Sequence, residues 1–234
     1  MTTPLLGGII AAGEGSRLRA AGFAVPKPMV PIAGVPLIES VIRNFRAAGV
    51  SSLVVIVNDA ERAIADWARA RFTDVDLEFI VKTTPSSLAS FREVTGRRPG
   101  GRMLVSTVDA WCRTADFACF VEAAARRPAE ATVLGVTPLV ADDKPVRVQV
   151  GAGGRVLRVG GASGDVVTAG MYLASERVRT LVPPPTLGRL REFLAWLCRE
   201  GEPLYAEVIE TVVDVDRPDD VAIAEALAAG DRLS

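Results

Sequence analysis

Apolar residues along this chain recur in two alternating rhythms. Residues 5–12 (LLGGIIAA) form a continuous apolar run with isoleucines, as a strand covered on both faces would. SLVVIV (52–57), DLEFIV (76–81), MLVSTVDAW (103–111) and ATVLGVT (131–137) repeat that character. Between them the spacing turns helical. PLIESVIRNFRAAGV (36–50) sets Leu37, Val41, Ile42 and Phe45 on one face and stops at Gly49. Further helices are predicted from about Ala60 to Arg71, from near Pro85 with Ser86 and Ser87, and from Thr114, read as an N-cap, through Arg126. This strand–helix alternation predicts right-handed βαβ units and a mostly parallel sheet with helices on both faces.

The second half follows another pattern. VRVQVGAGGRVLRVG (146–160) is two alternating stretches around a glycine turn, which predicts a β-hairpin. VVTAGMYLA (166–174) predicts a strand, and LGRLREFLAWLCRE (187–200) an amphipathic helix. A late strand is predicted over VIETVVDVD (208–216), and Pro218 opens a last helix. The fold class is therefore α/β: a mostly parallel, Rossmann-like sheet with a small antiparallel subregion in the second half. No repeat is visible, and the 234 residues suit one domain.

Composition narrows the chemistry. Lysine and arginine number 27 against 28 acids, so net charge gives no argument for nucleic acid or an anionic membrane as partner. Cys112, Cys119 and Cys198 are odd in number and lack CxxC spacing, which indicates neither a disulfide framework nor a structural zinc site. Neither a signal-peptide pattern nor an apolar stretch of membrane-spanning length is present, so a cytoplasmic location is expected. There is no histidine. Ser-His-Asp and Cys-His nucleophiles are excluded, which leaves carboxylates, lysines, arginines and backbone amides for any chemistry.

The first strand breaks into GEGSR, and Lys27 follows between Pro26 and Pro28. A P-loop is excluded because Glu14 stands where its lysine belongs, and a dinucleotide fingerprint fails at Leu18. A third reading is that strand-end glycines let backbone amides approach a triphosphate and a base, with Arg17 and Lys27 supplying charge. The plain alternative is a strand–turn–helix with a solvated arginine and lysine. AAGEGSRL followed by PKPMVPIAGVPLIE resembles the signature of the nucleotidyltransferases that activate sugar phosphates, LAAGxGxRL…PKP.

That resemblance implies a GT-A-type sheet. It also implies transfer of a mononucleotide from an NTP to a sugar-1-phosphate, with release of pyrophosphate and with magnesium. The nucleotide would meet Ala11, Ala12, Gly13, Gly15, Ser16 and Arg17, with Arg17 on the β/γ-phosphates and Lys27 on the α-phosphate and the incoming phosphate. Asp109, at the end of its strand, matches one metal-binding aspartate. Asp214 in VVDVDRPDDVAIAEAL matches the second, with Asp216 on the same side of the strand by alternation. Val212 and Arg217 stand where relatives have tryptophan and threonine. Asp219 and Asp220 read as structural, favouring a helix dipole.

Ser86 and Ser87 fall where relatives contact base and ribose, with simple helix capping as the other reading. VTAGMYLA resembles the NAGIY segment of the acceptor pocket, with Gly170 matched and Thr168 in place of asparagine. The EKP lysine that binds the acceptor phosphate in many relatives is absent. Lys144 is too early to replace it, and Arg158 in VLRVGG is the nearest cation. If Arg158 serves, it must lie on the face opposite Leu157 and Val159.

The resemblance divides the chain into a nucleotide-binding half, about 1–112, and an acceptor-binding half, about 113–234. With no left-handed β-helix after residue 234, the acyltransferase activity of some relatives is not expected. Three alternatives stay open: a cytidylyltransferase for phosphocholine or an inositol phosphate, a molybdopterin nucleotidyltransferase, and a non-catalytic nucleotide-sugar sensor. The base, the acceptor and the oligomeric state are not readable from the residues.

Overall fold

The computed structural model describes residues 5–139 and 145–230. Strand β1 (Leu6–Ala11) is followed by the short helix α1 (Ser16–Ala20), a hairpin of β2 (Pro31–Ile32) and β3 (Val35–Pro36), and α2 (Leu37–Ala47). Strict alternation comes next: β4 (Ser52–Val57), α3 (Arg62–Arg71), β5 (Asp76–Val81), α4 (Ser87–Thr95) and β6 (Met103–Thr107). Then come β7 (Ala110–Cys112), α5 (Thr114–Ala125), β8 (Thr132–Thr137), β9 (Arg147–Val150), β10 (Val156–Val159) and β11 (Val166–Ala174). The chain continues with α6 (Glu176–Thr180), α7 (Leu190–Arg199), β12 (Leu204–Val208), β13 (Val212–Asp214) and α8 (Pro218–Gly230).

Among the described residues the main sheet runs β5-β4-β1-β6-β11-β9-β10, with β8 on β11 and β12 on β8. Strands β5, β4, β1 and β6 are parallel, so their C-terminal ends share one edge. Strand β11 enters antiparallel to β6, and β9–β10 is the antiparallel hairpin that the alternation predicts. Strand β8 departs from the expected series. It is antiparallel to β11 and parallel only to β12. A buried apolar run looks the same in either direction, so its content did not fix the orientation.

The late strand also differs, forming two pieces. Ile209 donates its amide to the Val136 carbonyl at 2.8 Å, and beyond it β13 joins β7 in a separate two-stranded sheet. Thr114 is the first residue of α5 and not its N-cap, which is Arg113. Its hydroxyl donates instead to Asn44 Oδ1 at 2.7 Å, tying α5 to α2.

Both faces of the sheet are covered. Ile9 and Ala11 pack in the layer that holds Phe45 of α2 and Phe117 of α5. Ile10 points the other way, into the layer of Phe91 of α4 and Phe193 of α7. Gly7 and Gly8 are the reason these helices seat closely on β1. A Cβ on Gly7 would lie 2.2 Å from Leu53 Cδ2 and 2.8 Å from Phe45 Cδ1, and one on Gly8 would lie 2.4 Å from Val94 Cγ1. Among the described residues no helix is long and apolar enough to cross a membrane.

The close seating is testable. Gly7→Val should destabilise the fold by about 1–3 kcal/mol, the usual range for overpacking a filled core. It should lower the urea midpoint without changing the slope. A wild-type midpoint would show that α2 is not held against β1 at this glycine.

Candidate active site

Strand β1 hands its buried end, Ala11, to a loop of Ala12, Gly13, Glu14 and Gly15, and Ser16 opens α1. Gly15 has φ 58°, and a Cβ there would lie 2.7 Å from Lys27 Cβ. The loop therefore crosses directly over the lysine, a passage that suits only glycine. At Gly13 a Cβ would meet nothing within 4 Å, so that side of the loop is open. Lys27 begins a single 3₁₀ turn, Lys27–Met29, with Pro26 before it and Pro28 inside it. Its fixed backbone sends a side chain that is only 6% exposed back under Gly15.

Lys27 Nζ donates to Asp109 Oδ2 at 2.6 Å and also to Asp216 Oδ1. Arg17 Nη1 donates to the other oxygen of Asp216, Oδ2, at 3.0 Å. Asp109 arrives on the main sheet, because the Val108 amide still donates to Ile10 of β1 at 3.0 Å. In the β13–β7 ladder Asp214 faces Ala110, and Val215 donates its amide to the Asp109 carbonyl at 3.0 Å. Val213 and Val215 are fully buried, so Asp214 and Asp216 share the opposite side. Oxygens of Asp109, Asp214 and Asp216 lie within 4.8 Å of one another. This all-carboxylate set of hard donors suits a hard divalent cation.

Electrostatics hold the cluster charged. Burial works against the Lys27 ammonium, but Asp109, Asp216 and Asp214 outweigh it and raise its pKa above the usual lysine range. Burial pushes the Asp109 carboxyl up, and the Lys27 charge with hydrogen bonds from Lys27 and Thr107 brings it below the usual range. A buried pair of this kind is costly to halve, since either partner alone would be an uncompensated charge.

Beside the carboxylates lies a cavity of about 190 Å³ whose lining includes Thr107, Asp109, Thr168, Gly170, Tyr172 and Asp214. Gly170 has φ 71°, and a Cβ there would lie 2.6 Å from Thr107 Oγ1 and 3.0 Å from Ala110 Cβ. Any larger residue would press into the strand end that carries Asp109. Tyr172 was not among the residues singled out in the sequence. Burial raises its phenol pKa, a hydrogen bond with Thr168 opposes this, and Asp109 and Asp214 add to the rise. The available signal was period two: Thr168, Gly170 and Tyr172 alternate along one strand.

Arg158 does not join this constellation. It is exposed, its guanidinium donates to the carbonyl and hydroxyl oxygens of Ser163, and it does not line the cavity. Two features move it away. Strand β10 is the outer strand beyond β9, and the register shifts between Val156 and Arg158, so Leu157 is exposed as well. The expectation that Arg158 faces Thr168 and Gly170 is therefore corrected. Lys144 lies outside the described residues.

Ser86 caps α4, accepting from the Ala89 amide at 3.2 Å, and Ser87 Oγ accepts from the Leu190 amide at 3.0 Å. Both sit where β5 ends, on the same sheet edge as the glycine loop.

Residues 7–146 match the MobA-like NTP transferase domain. A bifunctional IPC transferase and DIPP synthase of Rubrobacter xylanophilus is 28% identical over 254 positions, covering 95% of this chain and 51% of that protein. The chain spans about half the length or less of the first curated relatives that it matches. Among solved structures, the inositol-1-phosphate CTP transferase from T. maritima superposes with a TM-score of 0.82 at 17% identity, covering 97% of this chain and 96% of the other. A UTP-bound UGPase from Acinetobacter baumannii gives 0.76 at 16% identity, over 97% and 93%. At such identities the superpositions establish the shared fold. With more than half of its length matched by the family's own sequence pattern, the chain belongs to the MobA-like NTP transferase domain family.

Proposed function

We propose that the protein transfers a nucleotidyl group from an NTP to a sugar-1-phosphate, forming an NDP-sugar and releasing pyrophosphate. The observation that carries this reading is the buried Lys27. It lies under the glycine loop and is bound to two carboxylates, one of which, Asp109, lines a cavity with room for a small acceptor. The NTP would occupy the half of the chain about 1–112, and the acceptor the half about 113–234. A cytoplasmic location fits the absence of a spanning helix among the described residues.

The chemistry is an in-line displacement at the α-phosphorus. An oxygen of the acceptor phosphate forms the new P–O bond, and the bond from the α-phosphorus to the bridging oxygen breaks. The electron pair leaves on pyrophosphate. The attacking phosphate is already ionised, so the reaction needs no general base, in keeping with a chain without histidine. The enzyme's contribution is then position and charge.

Lys27, in its fixed seat, would meet the α-phosphate and the incoming phosphate, while Arg17 would hold the β/γ-phosphates. The open side of Gly13 lets the loop backbone approach the nucleotide, and Ser86 and Ser87 stand at the same edge for base and ribose. Thr168 and Gly170 line the acceptor cavity. Asp109, Asp214 and Asp216 would hold magnesium, which supplies positive charge to offset the phosphates.

A second reading, cytidylyl transfer to an inositol phosphate, is favoured by one observation. The relative that aligns over 95% of this chain and a structure that covers 97% of it are an IPC transferase and an inositol-1-phosphate CTP transferase. Pyrophosphate release from the four NTPs, each offered sugar-1-phosphates and inositol phosphate, separates the two. CTP used only with the inositol phosphate would select the second reading, and no release with any pair would reject both.

Two predictions concern the site. Asp109→Ala and Asp214→Ala should each lower turnover about a hundredfold or more, the scale of losing a group that stabilises transition-state charge. EDTA should abolish turnover, and excess magnesium should restore it. Near-wild-type turnover of Asp109→Ala at saturating magnesium would remove the metal assignment. The two cations should separate kinetically. Lys27→Ala should depress kcat more than it raises the NTP KM, whereas Arg17→Ala should chiefly weaken binding of the triphosphate and affect the monophosphate less. If both variants bind and turn over NTP like wild type, the loop is only a turn.

A further inference from the structure

The three carboxylates reach the site by different routes. Asp109 and Asp214 are placed by backbone pairing, through the β13–β7 ladder and the amide of Val215. Asp216 lies beyond that ladder. Its amide donates to the Asp214 carbonyl at 3.1 Å and to Asp220 Oδ2 at 2.9 Å. The Arg217 amide donates to the same Asp220 oxygen at 2.8 Å. Asp220 sits in the first turn of α8 and is 6% exposed. One buried carboxylate oxygen, anchored on a 13-residue helix, thus pins two consecutive amides of the turn that carries Asp216. Asp216 is in turn the side chain that spans Lys27 and Arg17.

We propose that Asp220 is a positioning residue for the transfer site. By fixing the backbone of Asp216 and Arg217 it aims the Asp216 carboxylate at Lys27, at Arg17 and at the cation that the cluster would hold. This rests on the reading of the carboxylates as the metal-dependent transfer site. Groups that orient metal-binding carboxylates act in this way generally, without touching substrate. A charge favouring the α8 dipole would account only for helix stability. The contact from the Arg217 amide, just before Pro218, is likewise the ordinary reach of a third-position acid to a helix cap. The contact from the Asp216 amide is the one that goes beyond the helix and into the site segment.

The geometry also names its own control. Both amides converge on one oxygen, so asparagine, with one acceptor oxygen and similar shape, can take both hydrogen bonds without the charge. The test uses the full chain with Asp220→Ala, Asp220→Asn, Asp216→Ala and the double variant Asp216→Ala/Asp220→Ala. Mn²⁺ binding is read directly by electron paramagnetic resonance of the free ion, beside kcat at saturating magnesium and the melting temperature.

Asp220→Ala should weaken Mn²⁺ binding and lower kcat, each about tenfold or more, as loss of an orienting partner does. Asp220→Asn should restore most of both. In the Asp216→Ala background, Asp220→Ala should change neither further, because two steps in one chain of contacts are not additive. The proposal is overturned if Asp220→Ala lowers the melting temperature yet leaves binding and kcat at wild-type values. It is equally overturned if the loss adds in full on top of Asp216→Ala. A wild-type protein that neither binds Mn²⁺ nor releases pyrophosphate would overturn the transfer reading and this inference with it, whereas a normal wild type beside a normal Asp220→Ala overturns the positioning alone.

Discussion

The site depends on one buried contact, the Lys27 ammonium held between Asp109 and Asp216. Burying an ammonium is unfavourable unless its charge is matched nearby, and the matching groups come from three distant parts of the chain. Lys27 follows the glycine loop, Asp109 follows β6, and Asp216 follows β13. Their meeting explains features that look unrelated along the sequence. Gly15 is glycine because its backbone passes 2.7 Å, measured to an added Cβ, from the lysine stem. Pro26 and Pro28 bracket the lysine and restrict the backbone around it already in the unfolded chain, so less backbone entropy is lost on placing it. Gly170 leaves room for the strand end that presents Asp109.

The sheet supplies the frame for this contact. Parallel strands β5, β4, β1 and β6 end together, so the loops that follow them gather at one edge, where ligands bind in open α/β sheets. The antiparallel β11 beside β6 sets Thr168, Gly170 and Tyr172 against the same edge from the other side. Under the proposed function, a nucleotide and its acceptor would thus reach Asp109 from opposite flanks. The small β13–β7 sheet then closes the third side and carries Asp214.

Part of this was legible because the signals were local, and the pairing of Asp109 with Asp214 was implied by the family resemblance. Glycines at a strand end, a lysine between prolines and an aspartate just past an apolar run each state their own geometry. Lys27, Asp109, Asp214 and Asp216 are indeed brought together. Other features were not legible, because they depend on what lies across the sheet. The direction of β8 depends on its partners, since a doubly covered strand has no preferred polarity in its residues. Arg158 was chosen as the cation nearest to the missing lysine, but its strand is the outer one and carries a register shift, and its guanidinium pairs with Ser163. Tyr172 carries no distinguishing signal in the sequence, and only the folded chain shows it in the cavity lining with Thr168, Asp109 and Asp214. Asp220 carried the right signal, an acid in a first turn, but its partners are the amides of the segment before it.

Charge balance in the cluster bears on how substrates would enter. Three carboxylates, Asp109, Asp214 and Asp216, against two cations, Lys27 and Arg17, leave a formal −1. Alone, that cluster repels a triphosphate, and both cations that phosphate would need are engaged by carboxylates. A divalent cation held there would change the sum to +1 and offer the carboxylates another partner, leaving Lys27 and Arg17 for phosphate oxygens. Under the proposed function, metal and NTP therefore promote each other's binding, and by linkage the promotion is equal in both directions. The same arithmetic disfavours an acceptor phosphate arriving first, since the lining of the cavity holds Asp109 and Asp214 and no cation among the described residues. The order in which charges can be satisfied favours metal with NTP ahead of the acceptor.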